Sequence, residues 1–102
     1  MNKEIKKKLA SNWFKLLQNV ICDDIEKLEN KKIKFKSQIW NKSKVKDEGG
    51  GEFRILKNGK IFEKVGVNFS EVYGKFPKKM SKKIPGASRD PNFWASGISV
   101  VM

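Results

Sequence analysis

The sequence of 102 residues contains no histidine and a single cysteine, Cys22. Zinc sites, and nucleophilic sites that pair a serine or cysteine with histidine, are therefore excluded within this chain. One cysteine also excludes an internal disulfide bond, and with no histidine to activate it we interpret Cys22 as an ordinary helix thiol. On residue spacing alone we expect no catalytic residue, no metal ligand and no cofactor site in the chain.

Arginine is scarce, because only Arg54 and Arg89 are arginines among 23 basic residues. The formal charge of +12 therefore comes from lysine, which lacks the planar fork that reads nucleic-acid bases and phosphates. We expect most of these lysines to be solvated. Two alternatives stay open: attraction of an anionic substrate, and a small lysine-rich module for nucleic acid or another polyanion, although the lack of arginine argues against nucleic acid.

Long apolar runs are also absent. No stretch approaches the roughly eighteen apolar residues of a membrane span, and the lysine-rich start leads into an amphipathic pattern and not into a secretory signal. We therefore expect a soluble protein without a membrane span in a reducing compartment, most simply the cytoplasm. The length predicts one small domain, and an aromatic content of 11% favours a packed fold over a disordered chain.

A helical pattern opens the chain. Its apolar residues recur at steps of three and four: Ile5, Leu9, Trp13, Leu16, Leu17, Val20, Ile21, Ile25 and Leu28. This spacing predicts a long amphipathic helix over about 3–29 whose apolar stripe, with Trp13 and Phe14, packs in the core. Its acidic residues alternate with lysine and are expected to be solvated: Asp23, Asp24, Glu26 and Glu29.

Strand patterns follow the helix. Residues 33–40 alternate between apolar and polar side chains, as in a half-buried strand. Further strands are expected over three ranges: about 52–57, 60–73 and 93–102. Alternation places Val67 and Phe69 on one side of their strand and Asn68 on the other. We predict an α+β fold, with an amino-terminal helix packed on an antiparallel sheet, whose open strand edges mark it as an incomplete piece of a larger sheet-and-helix fold.

The dipeptide Asn58-Gly59 lies between two apolar runs and predicts a two-residue hairpin turn of type I′. Counting outward from this turn gives three expected pairs: Leu56 with Ile61, Ile55 with Phe62, and Arg54 with Glu63. The last would be a cross-strand ion pair. The core face of the hairpin is expected to carry Phe53, Ile55 and Phe62.

Two segments lack any periodicity. The consecutive Gly49, Gly50 and Gly51 predict a mobile glycine-rich loop, in which another backbone or a ligand can come close. Residues 75–92 hold all three prolines and predict a long basic loop.

The segment 40–74 is the most specific part of the sequence. It reads W-(8)-GGG-x-x-RIL-x-x-G-x-IFEKVGVNFSEVYG, and FWASGISVV follows at 93–101. In order and spacing these motifs resemble the amino-terminal third of the oxygen-dependent coproporphyrinogen III oxidases. The resemblance covers essentially the whole chain, and in it Asn68 is interpreted as a structural hydrogen-bonding residue of the sheet.

The resemblance implies an oxidoreductase of heme biosynthesis. That family converts coproporphyrinogen III to protoporphyrinogen IX by two oxidative decarboxylations, with molecular oxygen as co-substrate and no organic cofactor. A divalent metal is described for some bacterial members. The implied assembly is a homodimer in which a large antiparallel sheet is flanked by helices and the substrate is held in a cleft. The protein would chiefly orient the substrate, anchor its propionates and transfer protons.

Carried over by position, the resemblance implies that Ser99 contacts the substrate, because a small hydroxyl near Gly97 can donate to a propionate or pyrrole. The three glycines and Arg54 match the family's glycine-rich loop and the arginine after it. Arg54 is expected to pair either with a propionate or with Glu63.

No catalytic or metal-binding residue is implied in this chain. The family's histidine-bearing segment follows the GISVV strand, whereas this sequence ends at Met102. We therefore expect a truncated fragment that is inactive alone. A further alternative is an interaction subunit whose open sheet edge pairs with a separately encoded remainder.

Overall fold

The computed structural model describes residues 2–75, 83 and 92–102. One helix precedes four strands: α1 (Lys3–Leu28), β1 (Lys36–Asn41), β2 (Gly49–Lys57), β3 (Lys64–Lys75) and β4 (Asn92–Val101). The strands form one antiparallel sheet in the order β1-β2-β3-β4, and α1 packs on one face, against β3 and β4. The predicted α+β class, with a helix on an antiparallel sheet, is confirmed.

The loop predicted at 75–92 lies largely outside the described residues, which include only Lys75, Lys83 and Asn92 of it. Among the described residues, no helix is both long enough and apolar enough to cross a membrane.

Local hydrogen bonds fix both ends of α1. The side-chain oxygen of Asn2 accepts a hydrogen bond from the backbone N–H of Ile5 at 2.9 Å, and so caps the first turn. After the helix, Asn30 and Lys31 take positive φ values of 57° and 56°. The N–H of Lys31 then donates to the carbonyl of Glu26 at 2.8 Å, which closes the last turn and reverses the chain toward β1.

The apolar stripe of α1 faces away from the sheet. Six of its apolar residues are 46–58% exposed: Ile5, Leu9, Trp13, Leu16, Val20 and Leu28. The residues of α1 that are buried are Ser11, Gln18, Cys22 and Ile25. The prediction that the whole stripe packs in the core is therefore wrong, although Ile21 and Ile25 do pack there.

Hydrogen bonding explains how a polar helix side is buried. The side-chain amide of Gln18 donates to the carbonyls of Glu52 and Val67 at 2.8 and 3.1 Å. The Ser11 hydroxyl donates to Glu71 at 2.6 Å. Buried polar groups with such partners avoid the cost of desolvation without compensation. Hydrophobic periodicity alone therefore selected the wrong side of α1.

The core lies between α1 and the two central strands. Leu56, Val65 and Val67 are fully buried, next to Cys22 and Ile25. Two apolar residues that precede β1, Ile33 and Phe35, pack against this cluster. The strand predicted at 33–40 thus begins later, and Ile39 within it is 70% exposed.

The connection between β2 and β3 is longer than the predicted two-residue turn. Lys57 lies opposite Lys64, and Leu56 lies opposite Val65, so none of the three predicted pairs forms. Asn58 does take a positive φ of 62°, but the loop runs on to Glu63, whose carbonyl accepts the Asn58 N–H at 2.8 Å.

This pairing also changes which residues of β2 face the core. Leu56 shares the face of Val65 beneath α1, so Phe53 and Ile55 lie on the opposite face. The predicted core face is wrong for these two residues. Phe62 does pack against the core, from the loop.

Glu29 accounts for the longer loop. Its buried carboxylate accepts backbone N–H groups of Lys60, Ile61 and Phe62 at 2.9, 3.0 and 2.8 Å. These hydrogen bonds, that from Phe62 most of all, lower the pKa of Glu29 below its ordinary value. The backbone N–H groups that would pair with β2 in a tight turn therefore donate to Glu29, the residue that follows α1. Glu29 is not solvated as predicted, whereas Asp23 and Asp24 are exposed.

The three consecutive glycines form the start of β2, so the predicted glycine-rich loop is wrong. Gly50 pairs with both Asn41 and Glu71 in the neighbouring strands. A side chain at Gly51 would clash with the carbonyl oxygen of Phe69, and Gly49 has a φ of 86°. Glycine is required here because neighbouring backbones approach closely, which composition alone does not distinguish from a loop.

Candidate functional site

Ser99 and Arg54, the two predicted substrate contacts, lie on opposite faces of the sheet. Arg54 pairs with Val67, and Ser99 pairs with Asn68. Val67 and Asn68 are consecutive in β3, and consecutive strand residues point to opposite faces. Arg54 is therefore on the face beneath α1, the helix-covered face, and Ser99 is on the other, the open face. The structure does not bring these residues together.

Arg54 has an internal partner on the helix-covered face. Its Nε lies 2.6 Å from Oε2 of Glu52, which also accepts the Ser37 hydroxyl at 2.6 Å. The hydrogen bond from Arg54 is the main reason that the pKa of Glu52 is lowered, and the same bond raises the pKa of Arg54. The expected pair with Glu63 does not form, because Glu63 belongs to the loop.

Cys22 lies next to Arg54 in this interior. Its thiol is 4% exposed, and burial raises its pKa despite the neighbouring guanidinium. A buried thiol with a raised pKa is a poor nucleophile, in agreement with its interpretation as an ordinary helix residue.

Ser99 is exposed on the open face. Gly97 lies two residues earlier on the same face, and a Cβ at Gly97 would meet no atom of the described residues within 4 Å. Across the strand pair, Asn68 is opposite Ser99 and Ser70 is opposite Gly97. The missing side chain therefore leaves open space beside the Ser99 hydroxyl, next to two further polar residues.

The side chain of Asn68, on β3, is held by a hydrogen bond from β1, across the intervening strand β2. The indole Nε1 of Trp40, on β1, donates to the Asn68 side-chain oxygen at 3.0 Å. The indole crosses β2 at Gly51, where an added Cβ would lie 3.0 Å from its ring. The hydrogen bond confirms the interpretation of Asn68 as a structural residue, and it gives Gly51 a role in the site that the sequence did not predict.

The open face combines apolar surface with a few polar groups. The part of this face that contains Ser99 and Trp40 is formed by six residues: Trp40, Gly51, Phe53, Asn68, Gly97 and Ser99. Three exposed lysines lie on the same face at the end of the sheet next to the β2–β3 connection: Lys36, Lys57 and Lys64. Such a surface can contact a flat apolar ligand, donate a hydrogen bond to it and attract its anionic groups.

A separate groove of about 480 Å³ lies on the helix-covered side between α1 and the first strands. Lys15, Asn41, Glu71 and Tyr73 contribute to its lining, together with Arg54. Ser99 does not line it. Among the described residues, no three or more acidic or cysteine side chains come together as a metal site.

Comparison with known proteins points to a single family. The family model for coproporphyrinogen III oxidase matches residues 9–102. The oxygen-dependent coproporphyrinogen-III oxidase of Rickettsia bellii (strain RML369-C) is 41% identical over 105 residues, which cover 99% of this chain and 37% of the relative. For the enzyme of the same name from Rickettsia felis, identity is 41% over 103 residues, covering 93% and 36%.

The Rickettsia akari relative is 40% identical, with the same coverage as the Rickettsia felis protein. This chain thus spans slightly more than one third of the length of these curated relatives. Because the family match includes β1 to β4 and most of α1, the chain belongs to the coproporphyrinogen III oxidase family.

Proposed function

We propose that this chain supplies the substrate-facing sheet of an oxygen-dependent coproporphyrinogen III oxidase, with Ser99 as a hydrogen-bond donor to the tetrapyrrole. In each of the two steps, a propionate side chain and O₂ become a vinyl group, CO₂ and H₂O₂. The observation that carries this proposal is the exposed Ser99 beside the open space at Gly97, on a face that α1 does not cover.

The chemistry of the open face suits this substrate. The indole of Trp40 and the ring of Phe53 offer apolar contact to a tetrapyrrole, while Ser99 offers a hydroxyl. Lys57 and Lys64 lie directly opposite each other. Like charges in that position repel, and a propionate carboxylate near them would relieve the repulsion.

Arg54 is not assigned a substrate contact in this proposal. Its bond to Glu52 at 2.6 Å lies on the helix-covered face, so a ligand on the open face would not reach it. Substrate contact by Arg54 stays a prediction from the family resemblance, and the geometry favours a structural role.

The proposal includes oxygen as co-substrate and no organic cofactor in this chain. The divalent metal of some bacterial members does not fit the residues described, which include no histidine and no group of three ligands. A homodimer and a cytoplasmic location remain proposals that rest on the family resemblance.

We further propose that the chain alone has no oxidase activity. On the described strands of the open face the charged residues are lysines, and the chain contains no histidine. The carboxylate of Glu48 reaches this face only beside Gly74, six residues along β3 from Asn68, where it pairs with Lys42, so it is not placed near Ser99 to accept the proton that a propionate must lose. Substrate binding and turnover are therefore expected to separate in this protein.

The test uses the purified chain in two assays. With coproporphyrinogen III and oxygen, chromatography is expected to show no protoporphyrinogen above background, and turnover would contradict the proposed inactivity. Fluorescence titration with coproporphyrin III, the stable oxidised form, is expected to show saturable binding that persists at 200 mM salt. Binding that depends on attraction by lysines alone is expected to weaken steeply between 50 and 200 mM salt, because exposed charges are screened. Such weakening would contradict a built site.

A further inference from the structure

The apolar stripe of α1 is uncovered within the described structure. We define the helix stripe as five residues on one side of α1: Ile5, Leu9, Trp13, Leu16 and Val20. It extends for about 22 Å along the helix and is 46–58% exposed. The exposed Asp23 and Asp24 follow at its carboxyl end. Contiguous apolar surfaces of this kind, bordered by charged residues, mark interaction sites.

The helix stripe cannot contact this sheet. Gln18, which bonds to the carbonyls of two strands, lies nine residues after Leu9. Nine residues turn an α-helix by about 900°, so the two side chains point in opposite directions. Covering the helix stripe therefore requires a second layer of protein on the far side of α1.

We propose that the helix stripe docks the part of the coproporphyrinogen oxidase chain that these residues do not represent. The match accounts for 37% of the Rickettsia bellii relative, so almost two thirds of that protein lies outside it. Uncovered apolar side chains on the two outer strands agree with this proposal, because Ile39 on β1 and Val101 on β4 are each 70% exposed. This inference rests on family membership and not on the Ser99 site, so each can fail separately.

Charge favours this occupant over a second copy of the chain. Exposed lysines flank the amino-terminal half of the helix stripe, with Lys6 on one side and Lys8 on the other. Association of two copies that each carry a formal charge of +12 is opposed by long-range repulsion, in whichever relative direction the two helices run. The occupant is instead a segment with an apolar side flanked by carboxylates.

Protection of an introduced thiol from labelling measures whether another polypeptide covers the helix stripe. The chain carrying Leu9→Cys is co-expressed with the unmatched part of the Rickettsia bellii relative as a separate polypeptide, so that neither must fold alone. Maleimide is expected to label the new thiol freely in the chain alone and roughly tenfold more slowly in the complex. Val45→Cys, at a position 91% exposed, is the matched control and is expected to react equally in both. Cys22 is buried in either case.

Substitutions that disrupt the helix stripe give an independent test of the docking. The double variant Leu9→Glu with Trp13→Glu is expected to reduce co-purification of the second polypeptide at least roughly tenfold. Val45→Glu is expected to leave it unchanged, and circular dichroism checks that both variants keep the wild-type melting curve.

Four results would overturn the proposal: no complex with the wild-type chain, undiminished co-purification with the double variant, protection of Leu9→Cys in the chain alone, or self-association through the helix stripe in sedimentation.

Discussion

The two faces of the sheet use their polar residues in different ways. Beneath α1, Gln18 bonds to strand carbonyls and Arg54 bonds to Glu52, so these groups are satisfied within the protein. On the open face, Trp40 fixes Asn68, but the neighbouring Ser99 is exposed beside empty space. A buried polar network specifies packing, whereas an exposed donor on a rigid strand is available to a ligand.

The largest expected effect comes from the helix-covered face. Leu56→Ala removes a side chain with no exposed surface and is expected to lower the free energy of unfolding by about 2–5 kcal/mol, because a cavity remains. Leu28→Ala, at a position 55% exposed, is the matched control and is expected to change it by less than about 0.5 kcal/mol. Urea denaturation measures both, and equal effects would contradict the assigned core.

A smaller loss of stability is expected from Gln18→Leu. The change preserves most of the volume but leaves the carbonyls of Glu52 and Val67 without their donor. An unsatisfied buried carbonyl costs about 1–3 kcal/mol. Asn19→Leu, at the next and exposed helix position, is expected to be near neutral. A neutral Gln18→Leu would show that the polar side of α1 does not hold the helix on the sheet.

The effect at Glu29 depends on pH. Its folded pKa is below the ordinary value of 4.5, so its carboxylate stabilises the fold above pH 4.5, and that contribution is lost as pH falls through the folded pKa. Glu29→Gln is therefore expected to lower stability at pH 7 and to flatten the loss of stability below about pH 4.5. Glu52, whose pKa is also lowered, would retain part of the acid dependence.

Urea denaturation at a series of pH values measures this change. Asp24→Asn, at an exposed position of the same helix, is the control and is expected to keep the wild-type pH profile. An unchanged profile for Glu29→Gln would show that the loop amides do not depend on this carboxylate.

Local patterns predicted the elements better than their packing. The limits of α1 and the existence of the strands followed from periodicity, and alternation correctly separated Val67 from Asn68. The orientation of α1 did not follow, because the bonds of Gln18 depend on strand carbonyls distant in sequence. The Asn58-Gly59 signal also failed, since Glu29 binds the loop amides.

Within the candidate site, the family resemblance selected Ser99, and the structure supplied its surroundings. The role of Gly51 beneath the Trp40 indole was not predictable, because a run of glycines has the same composition in a loop and in a closely packed strand. The separation of Arg54 from Ser99 follows only from the strand register. A sequence with two polar residues near one motif does not show on which face each lies.

The central claim is that the open face binds the substrate, and a comparison of two serines tests it most directly. Ser99→Ala and Ser37→Ala are the same change at exposed strand positions on opposite faces. Ser99→Ala is expected to alter stability by less than about 0.5 kcal/mol, whereas Ser37→Ala also removes the hydrogen bond to Glu52 and is expected to cost roughly 0.5–1.5 kcal/mol. In titrations with coproporphyrin III, Ser99→Ala is expected to weaken binding roughly three- to tenfold, as for one lost hydrogen bond, while Ser37→Ala retains wild-type affinity. Equal affinities for the two variants, or a loss confined to Ser37→Ala, would contradict the account.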